Sequence, residues 1–156
     1  MKKFLPVIIL LLLSFWTIKP LFNSGFFPVH DNVQVERVFE MGLALKEGQF
    51  PVRLVKDLGY GYGYPIFNYY APLPYYFGGL LTLFGVGVVL ATKVMIGFGS
   101  LLAGLTAYYL IKEFWTKKAA FLSAILYLYS PYHALDIYVR GAVDEYWAMG
   151  FLPLVF

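Results

Sequence analysis

The chain has 156 residues, of which 60% are hydrophobic, 21% aromatic and only 13% charged, and its mean hydropathy is +0.68. That composition excludes an ordinary soluble domain and reads as an integral membrane protein. The formal charge of +3 and pI near 9.0 do not indicate nucleic acid, because the basic residues stand singly or in pairs between apolar runs and form no basic face. Cysteine is absent, so disulfides and thiolate metal sites are excluded.

In chain order, the first apolar segment is 4–22, preceded by Lys2 and Lys3. No small-x-small cleavage site follows it, so it reads as an uncleaved anchor helix rather than a signal peptide. A long loop, 23–73, comes next. Further apolar segments are 74–91, 94–111 and 119–135, and another opens at 146 and stops with the chain at 156. At about 1.5 Å per residue each is barely long enough to cross a hydrocarbon core of about 30 Å.

The lysines order these segments. If all of them span and the N-terminus is cytoplasmic, Lys112, Lys117 and Lys118 fall outside, against the positive-inside rule. The weakest segment is 74–91, which follows Pro72 and carries Gly78, Gly79, Gly85 and Gly87; it suits a re-entrant or interfacial helix as well as a span. Without it the lysines are cytoplasmic, and both the 23–73 loop and the loop holding Arg140, Asp144 and Glu145 are external. The expectation is an all-α, multi-pass cell-membrane protein with a cytoplasmic N-terminus.

Within the first loop, "DNVQVERVFEMGLALKEGQFP" predicts an amphipathic juxtamembrane helix over about 31–47. Asp31 stands three residues before Gln34 in a capping-box arrangement, and the apolar stripe is Val35, Val38, Phe39, Gly42 and Leu45. Gly48 and Pro51 supply the stop, and Glu36 and Glu40 are expected on the solvated face. The following "LGYGYGYPIFNYYAPLPYYFG" is too rich in glycine and proline for a long helix. Its tyrosines suit an aromatic belt at the interface or a platform for a sugar face.

These residues carry a resemblance. An anchor, an external "HDN" opening a juxtamembrane helix, a "YYAPLPYY" segment and then "SPYHALDIYVRGAVDEYWAMGFLPLVF" resemble the beginning of the 6-pyruvoyl-tetrahydropterin synthase-related family of polytopic membrane proteins. That pattern is in turn similar to the GT-C class of membrane glycosyltransferases. The resemblance implies a GT-C-like fold, of which this chain is the N-terminal part, and transfer of a sugar from a polyprenyl-phosphate donor at the external face. By position in the motif, Asp31 matches the acidic residue of the active site. Arg140, Asp144 and Glu145 match a substrate-binding group in the next external loop, joined by His30, Tyr70 and Tyr75. Tyr69 and Tyr70 stand where some relatives have a metal-linked glutamate, so a divalent metal is not supported. The implied partners are membrane lipid and the polyprenyl-phosphate donor, with no nucleic acid.

Each residue also has a structural reading. Asp31 fits a helix cap as well as a catalytic base, and Arg140 fits a local ion pair with Asp144 or Glu145, or Asp144 a cap on the last helix. His30 and His133 have no recognised ligand spacing. The rival to the transferase is a non-catalytic transporter or assembly factor, which would place paired charges or broken helices at the bilayer midplane.

Overall fold

The computed structural model describes residues 5–156, so Lys2 and Lys3, and Phe4, with which the expected anchor begins, lie outside the described residues. Among the described residues seven α-helices follow one another: α1 (Leu5–Ile18), α2 (Gln34–Lys46), α3 (Leu73–Leu83), α4 (Val88–Phe114), α5 (Lys117–Leu128), α6 (Pro131–Leu135) and α7 (Val143–Phe151). Among the described residues the β structure is a single bridge, Val55 to Tyr64. Two compact units share the chain, one made of the residues up to His30 with Ile96–Phe156, the other of Asp31–Met95. Their boundary falls inside α4.

Helix α4 is the described helix that is long and apolar enough to cross a membrane by length and composition. Its 27 residues reach about 40 Å at 1.5 Å per residue, more than the hydrocarbon core requires. The other apolar segments come out shorter than the sequence suggested. Helix α1 has 14 residues and runs into a tight 3-10 turn, Lys19–Phe22, where Pro20 removes a backbone donor. The stretch 119–135 is broken at Ser130–Pro131: α5 has only 12 residues, about 18 Å, and α6 restarts at the proline. The stretch 74–91 is not one segment either. Helix α3 ends at Leu83, Gly85 turns the chain at φ +84, and residues 88–91 are the first turn of α4, which therefore starts before the expected 94 and runs past 111. Helix α7 starts at Val143, ahead of the expected 146, and stops at Phe151 before Pro153.

In the unit Asp31–Met95, α2 and α3 pack at backbone distance. A Cβ on Gly78 would meet Val38 at 2.9 Å, and one on Gly79 would lie 2.7 Å from Met41 Cγ and 3.0 Å from the Gly42 amide nitrogen. The glycines that made 74–91 look like a poor helix are the contact surface of a short one, as at small-residue helix crossings in membranes. On α2 the buried face is Gln34, Arg37, Val38, Glu40, Met41, Gly42 and Ala44, rotated from the expected stripe so that Phe39 is exposed. Glu40, expected on the solvated face, is buried at 2% exposure. Its Oε2 accepts from the Asp57 amide at 3.4 Å, and burial pushes its pKa up.

In the other unit, Leu10 of α1, Ala107 and Tyr108 of α4, and Ala120 and Ala124 of α5 form one core. Gly99 lets α7 lie against α4, where a Cβ would be 2.8 Å from the Tyr146 ring. Hydroxyls tie these helices to one another's backbones: Thr106 Oγ1 donates to the Gly150 carbonyl at 2.8 Å, Tyr127 to Met149 at 2.8 Å and Tyr138 to Thr17 at 2.6 Å. Where lipid removes the hydrophobic drive between helices, such bonds and close packing hold them.

Because backbone atoms of Gly42 and Met41 stand behind the Met41 side chain at 3.0 and 3.2 Å from the Gly79 Cβ position, Gly79→Val should force α2 and α3 apart and cost on the order of 1–3 kcal/mol, as overpacking does. Gly87, with nothing within 4 Å of its Cβ position, is the control for space: Gly87→Ala at the start of α4 should cost no more than the about 1 kcal/mol of a poorer helix cap. Thermal unfolding of the detergent-solubilised variants checks both.

Candidate functional site

Asp31 stands three residues ahead of α2 and does not cap it. The cap position belongs to Val33, with no side-chain cap bond. The Asp31 carboxylate is instead the centre of a polar cluster built by the first turn of α2 and by the charge-free stretch before and within α3. Arg37 Nη1 donates to Asp31 Oδ2 at 2.8 Å, Tyr70 Oη at 3.0 Å and Gln34 Nε2 at 3.0 Å. The other oxygen, Oδ1, receives only a long 3.4 Å contact from Arg37 Nη2. Tyr75, fully buried, donates to Gln34 Oε1 at 2.5 Å and accepts from Arg37 Nη1 at 3.4 Å. The Arg37 guanidinium stacks over the Tyr70 ring at 4.0 Å.

The burial is uneven, and that matters chemically. The Arg37 side chain is 9% exposed and that of Asp31 28%, so the cation is enclosed and the carboxylate opens to the surface. Arg37 Nε is buried without a hydrogen-bond partner, which leaves Asp31 and the Tyr70 face as the main compensation for taking that charge out of water. Asp31 thus has one oxygen committed to holding Arg37, Tyr70 and Gln34, and one with spare acceptor capacity. Sequence reasoning picked out Asp31, Tyr70 and Tyr75, named Gln34 only as the capping-box partner of Asp31, and missed Arg37. The signal was present: Gln34 and Arg37 are three apart on one helical face and reach back to Asp31.

The second cluster lies in the other unit, at the corner between α6 and α7. A π-turn, Asp136–Arg140, ends at Gly141 in the left-handed region at φ +74, which a residue with a Cβ adopts only at a cost. The turn places Asp136 and Arg140 side by side. Arg140 Nη1 donates to Asp136 Oδ1 at 2.6 Å and to Tyr132 Oη at 3.0 Å, and its Nη2 lies 2.9 Å from Glu145 Oε2. Tyr132 donates to Glu145 Oε1 at 2.6 Å. Glu145 and Arg140, named from the sequence, are therefore a local ion pair. Asp144 sits in the first turn of α7 and does not cap it, since Ala142 holds that place without a side-chain bond. His30 is exposed, and its amide donates to the Val139 carbonyl at 2.8 Å.

Asp136, which the sequence reading left without a role, is fully buried, and its Oδ2 has no partner. Burial pushes its pKa up, helped by the charge of Glu145 and partly opposed by Arg140. Glu145 goes the other way, held below the usual range by the Tyr132 hydroxyl and then by Arg140. Among the described residues no group of three or more His, Asp or Glu could hold a metal ion.

A carboxyl whose folded pKa is raised favours folding below its unfolded pKa, near 4, and that stability is lost as pH rises through the folded value. Asp136→Asn removes the ionisation, so its midpoint should gain on that of the wild type as pH goes from about 4 to about 7. A pH-independent difference between the two melting curves would mean that Arg140 fully offsets the burial.

A protein-family model described as the 6-pyruvoyl-tetrahydropterin synthase related domain, a membrane protein, matches residues 67–156. The match takes in Tyr70, Tyr75 and the whole Arg140 corner, and leaves Asp31, Gln34 and Arg37 before it. No curated protein and no solved structure matches the chain.

Proposed function

We propose, for a chain that belongs to the 6-pyruvoyl-tetrahydropterin synthase related family of membrane proteins, a role in GT-C-like glycosyl transfer from a polyprenyl-phosphate donor, with Asp31 as general base. What carries the reading is the asymmetry of the Asp31 carboxylate. Oδ2 is fixed by Arg37, Tyr70 and Gln34, while Oδ1, held by the 3.4 Å contact from Arg37 Nη2, keeps a lone pair for an acceptor hydroxyl. A base must be held in place and still have a lone pair to offer. In the transfer, the acceptor oxygen attacks the anomeric carbon, its proton passes to Asp31 Oδ1, and the anomeric carbon–oxygen bond breaks to release the polyprenyl phosphate.

Resemblance supports a substrate-binding role for Arg140, Asp144 and Glu145, and for His30, Tyr70 and Tyr75. Geometry qualifies three of them. Arg140 is held by Asp136, Tyr132 and Glu145, so it meets an anionic group only by giving up one of these. Tyr70 reaches substrate only beside Asp31, and Tyr75 is buried and acts by positioning Gln34 and Arg37. Lys112, Lys117 and Lys118, at and just after the end of α4, support placing that end in the cytoplasm, which gives a multi-pass cell-membrane protein its orientation.

A second reading rests on the same cluster. Enclosed Arg37 needs a counter-charge whatever the protein does, so the network would serve a non-catalytic membrane protein equally well by seating α2. The readings separate by assay. Membranes expressing the full reading frame are supplied with radiolabelled polyprenyl-phosphate sugars. Asp31→Asn should reduce transfer by at least about 100-fold, the lower range of general-base effects. It should also lower the melting midpoint, because it strands Arg37. The double variant Asp31→Asn with Arg37→Gln should recover stability without recovering transfer. Recovered transfer in the double variant would make Asp31 a counter-ion only, and no transfer by the wild type would leave the non-catalytic reading.

A further inference from the structure

The loop 58–64 does something that neither the transfer reading nor the counter-ion reading requires: it displays two tyrosine rings and shields neither. Tyr60 is 102% exposed and Tyr62 93%. This is not a slack loop. Val55 and Tyr64 exchange both backbone bonds, at 3.1 and 2.8 Å, while the Gly63 amide donates to the Leu58 carbonyl and the Tyr62 amide to that of Gly59, each at 3.1 Å. Gly59, Gly61 and Gly63 take φ of +66, +82 and +85, and Tyr60 itself lies at +60. A residue with a Cβ is disfavoured there. A Cβ on Gly59 would also come within 3.0 Å of the Gly63 carbonyl oxygen. The fold accepts a left-handed tyrosine to hold these rings outward.

The surroundings say what meets them. Between Asp57 and Lys93 there is no charged residue, although Tyr69, Leu73, Phe84 and Leu90 within that stretch are also exposed. Surface facing water carries charge and surface facing lipid does not, while the headgroup layer between them takes both polar and aromatic side chains. Tyrosine is the residue type whose apolar ring and polar tip suit the headgroup layer. A sugar platform would need amides or carboxylates around the rings to read the hydroxyls, and between Leu58 and Tyr64 there are only glycine and tyrosine. The charge-free stretch runs directly into α4, the helix fit to cross the bilayer, so a lipid surface is close by chain connectivity. The geometry points to the 58–64 loop as an interfacial anchor that sets Tyr60 and Tyr62 into the headgroup layer of a phospholipid bilayer.

The absence of cysteine makes the test direct. A Tyr62→Cys variant of the full chain, labelled with an NBD fluorophore, is reconstituted into vesicles of phosphatidylcholine and phosphatidylglycerol. The expected result is loss of most of the emission to a lipid carrying a nitroxide near its headgroup, less loss to one labelled deep in the acyl chain, and protection from aqueous iodide. Full quenching by iodide with none by either lipid would overturn the anchor. So would protection from iodide that appears only when a soluble oligosaccharide is added, which would make the loop a sugar platform. A label at Tyr60→Cys repeats the reading should the first variant fail to fold.

Discussion

The close approach of α2 and α3 is the constraint from which the Asp31 cluster follows. Tyr75 lies three and four residues before Gly78 and Gly79 on α3, and therefore on the face that meets α2. On α2 the same geometry applies to Gln34, Arg37, Val38 and Met41. Only because the glycines admit Val38 and Met41 to the backbone of α3 does the Tyr75 hydroxyl reach Gln34 and Arg37. Larger residues would separate the helices and take Tyr75 away from the Arg37 charge. Close packing and the polar cluster are thus one feature seen at two ends of a short helix pair.

Each unit holds a buried charge, and each handles it differently. Arg37 is enclosed among one carboxylate and two tyrosines, with its Nε left unbonded. Since arginine stays protonated under any ordinary condition, the protein must neutralise it in place, and Asp31 cannot be lost without cost. Asp136 can be neutralised by a proton instead, which is the direction in which burial drives it. Conservative replacements at the two sites therefore differ in meaning: at Asp31 an amide removes a needed charge, whereas at Asp136 it removes a penalised one.

Much of this was legible in the sequence, and the failures share a cause. An all-helical membrane chain, a helix near 31–47 and a break after Lys46 followed from hydropathy, spacing and Gly48. The face of α2 did not, because the stripe was read by hydrophobicity alone while the buried side carries Gln34, Arg37 and Glu40. Polar residues can be buried when partners arrive from elsewhere in the chain, and a single helix does not announce those partners. Gly78 and Gly79 were visible but were read as weakness, since the cost of glycine in a helix is local and its benefit in packing is not. The Asp31 cap failed for a related reason: Arg37 offers the carboxylate a charge-assisted bond, worth more than a neutral backbone amide.

The corner between α5 and α7 shows why hydropathy alone misplaces helix ends. Residues 119–135 are apolar enough to suggest a crossing, yet Pro131 cannot donate to the turn before it, and the helix ends at Leu128. The π-turn that follows ends at Gly141, and within it Arg140 reaches Asp136 four residues back and meets Glu145 in the first turn of α7. Two of the three charges that make "RGAVDE" conspicuous in an apolar chain, Arg140 and Glu145, therefore close the corner. Arg140 draws together a carboxylate from each side of Gly141, so that any ligand recruited by this arginine must first compete with the bonds that shape the turn.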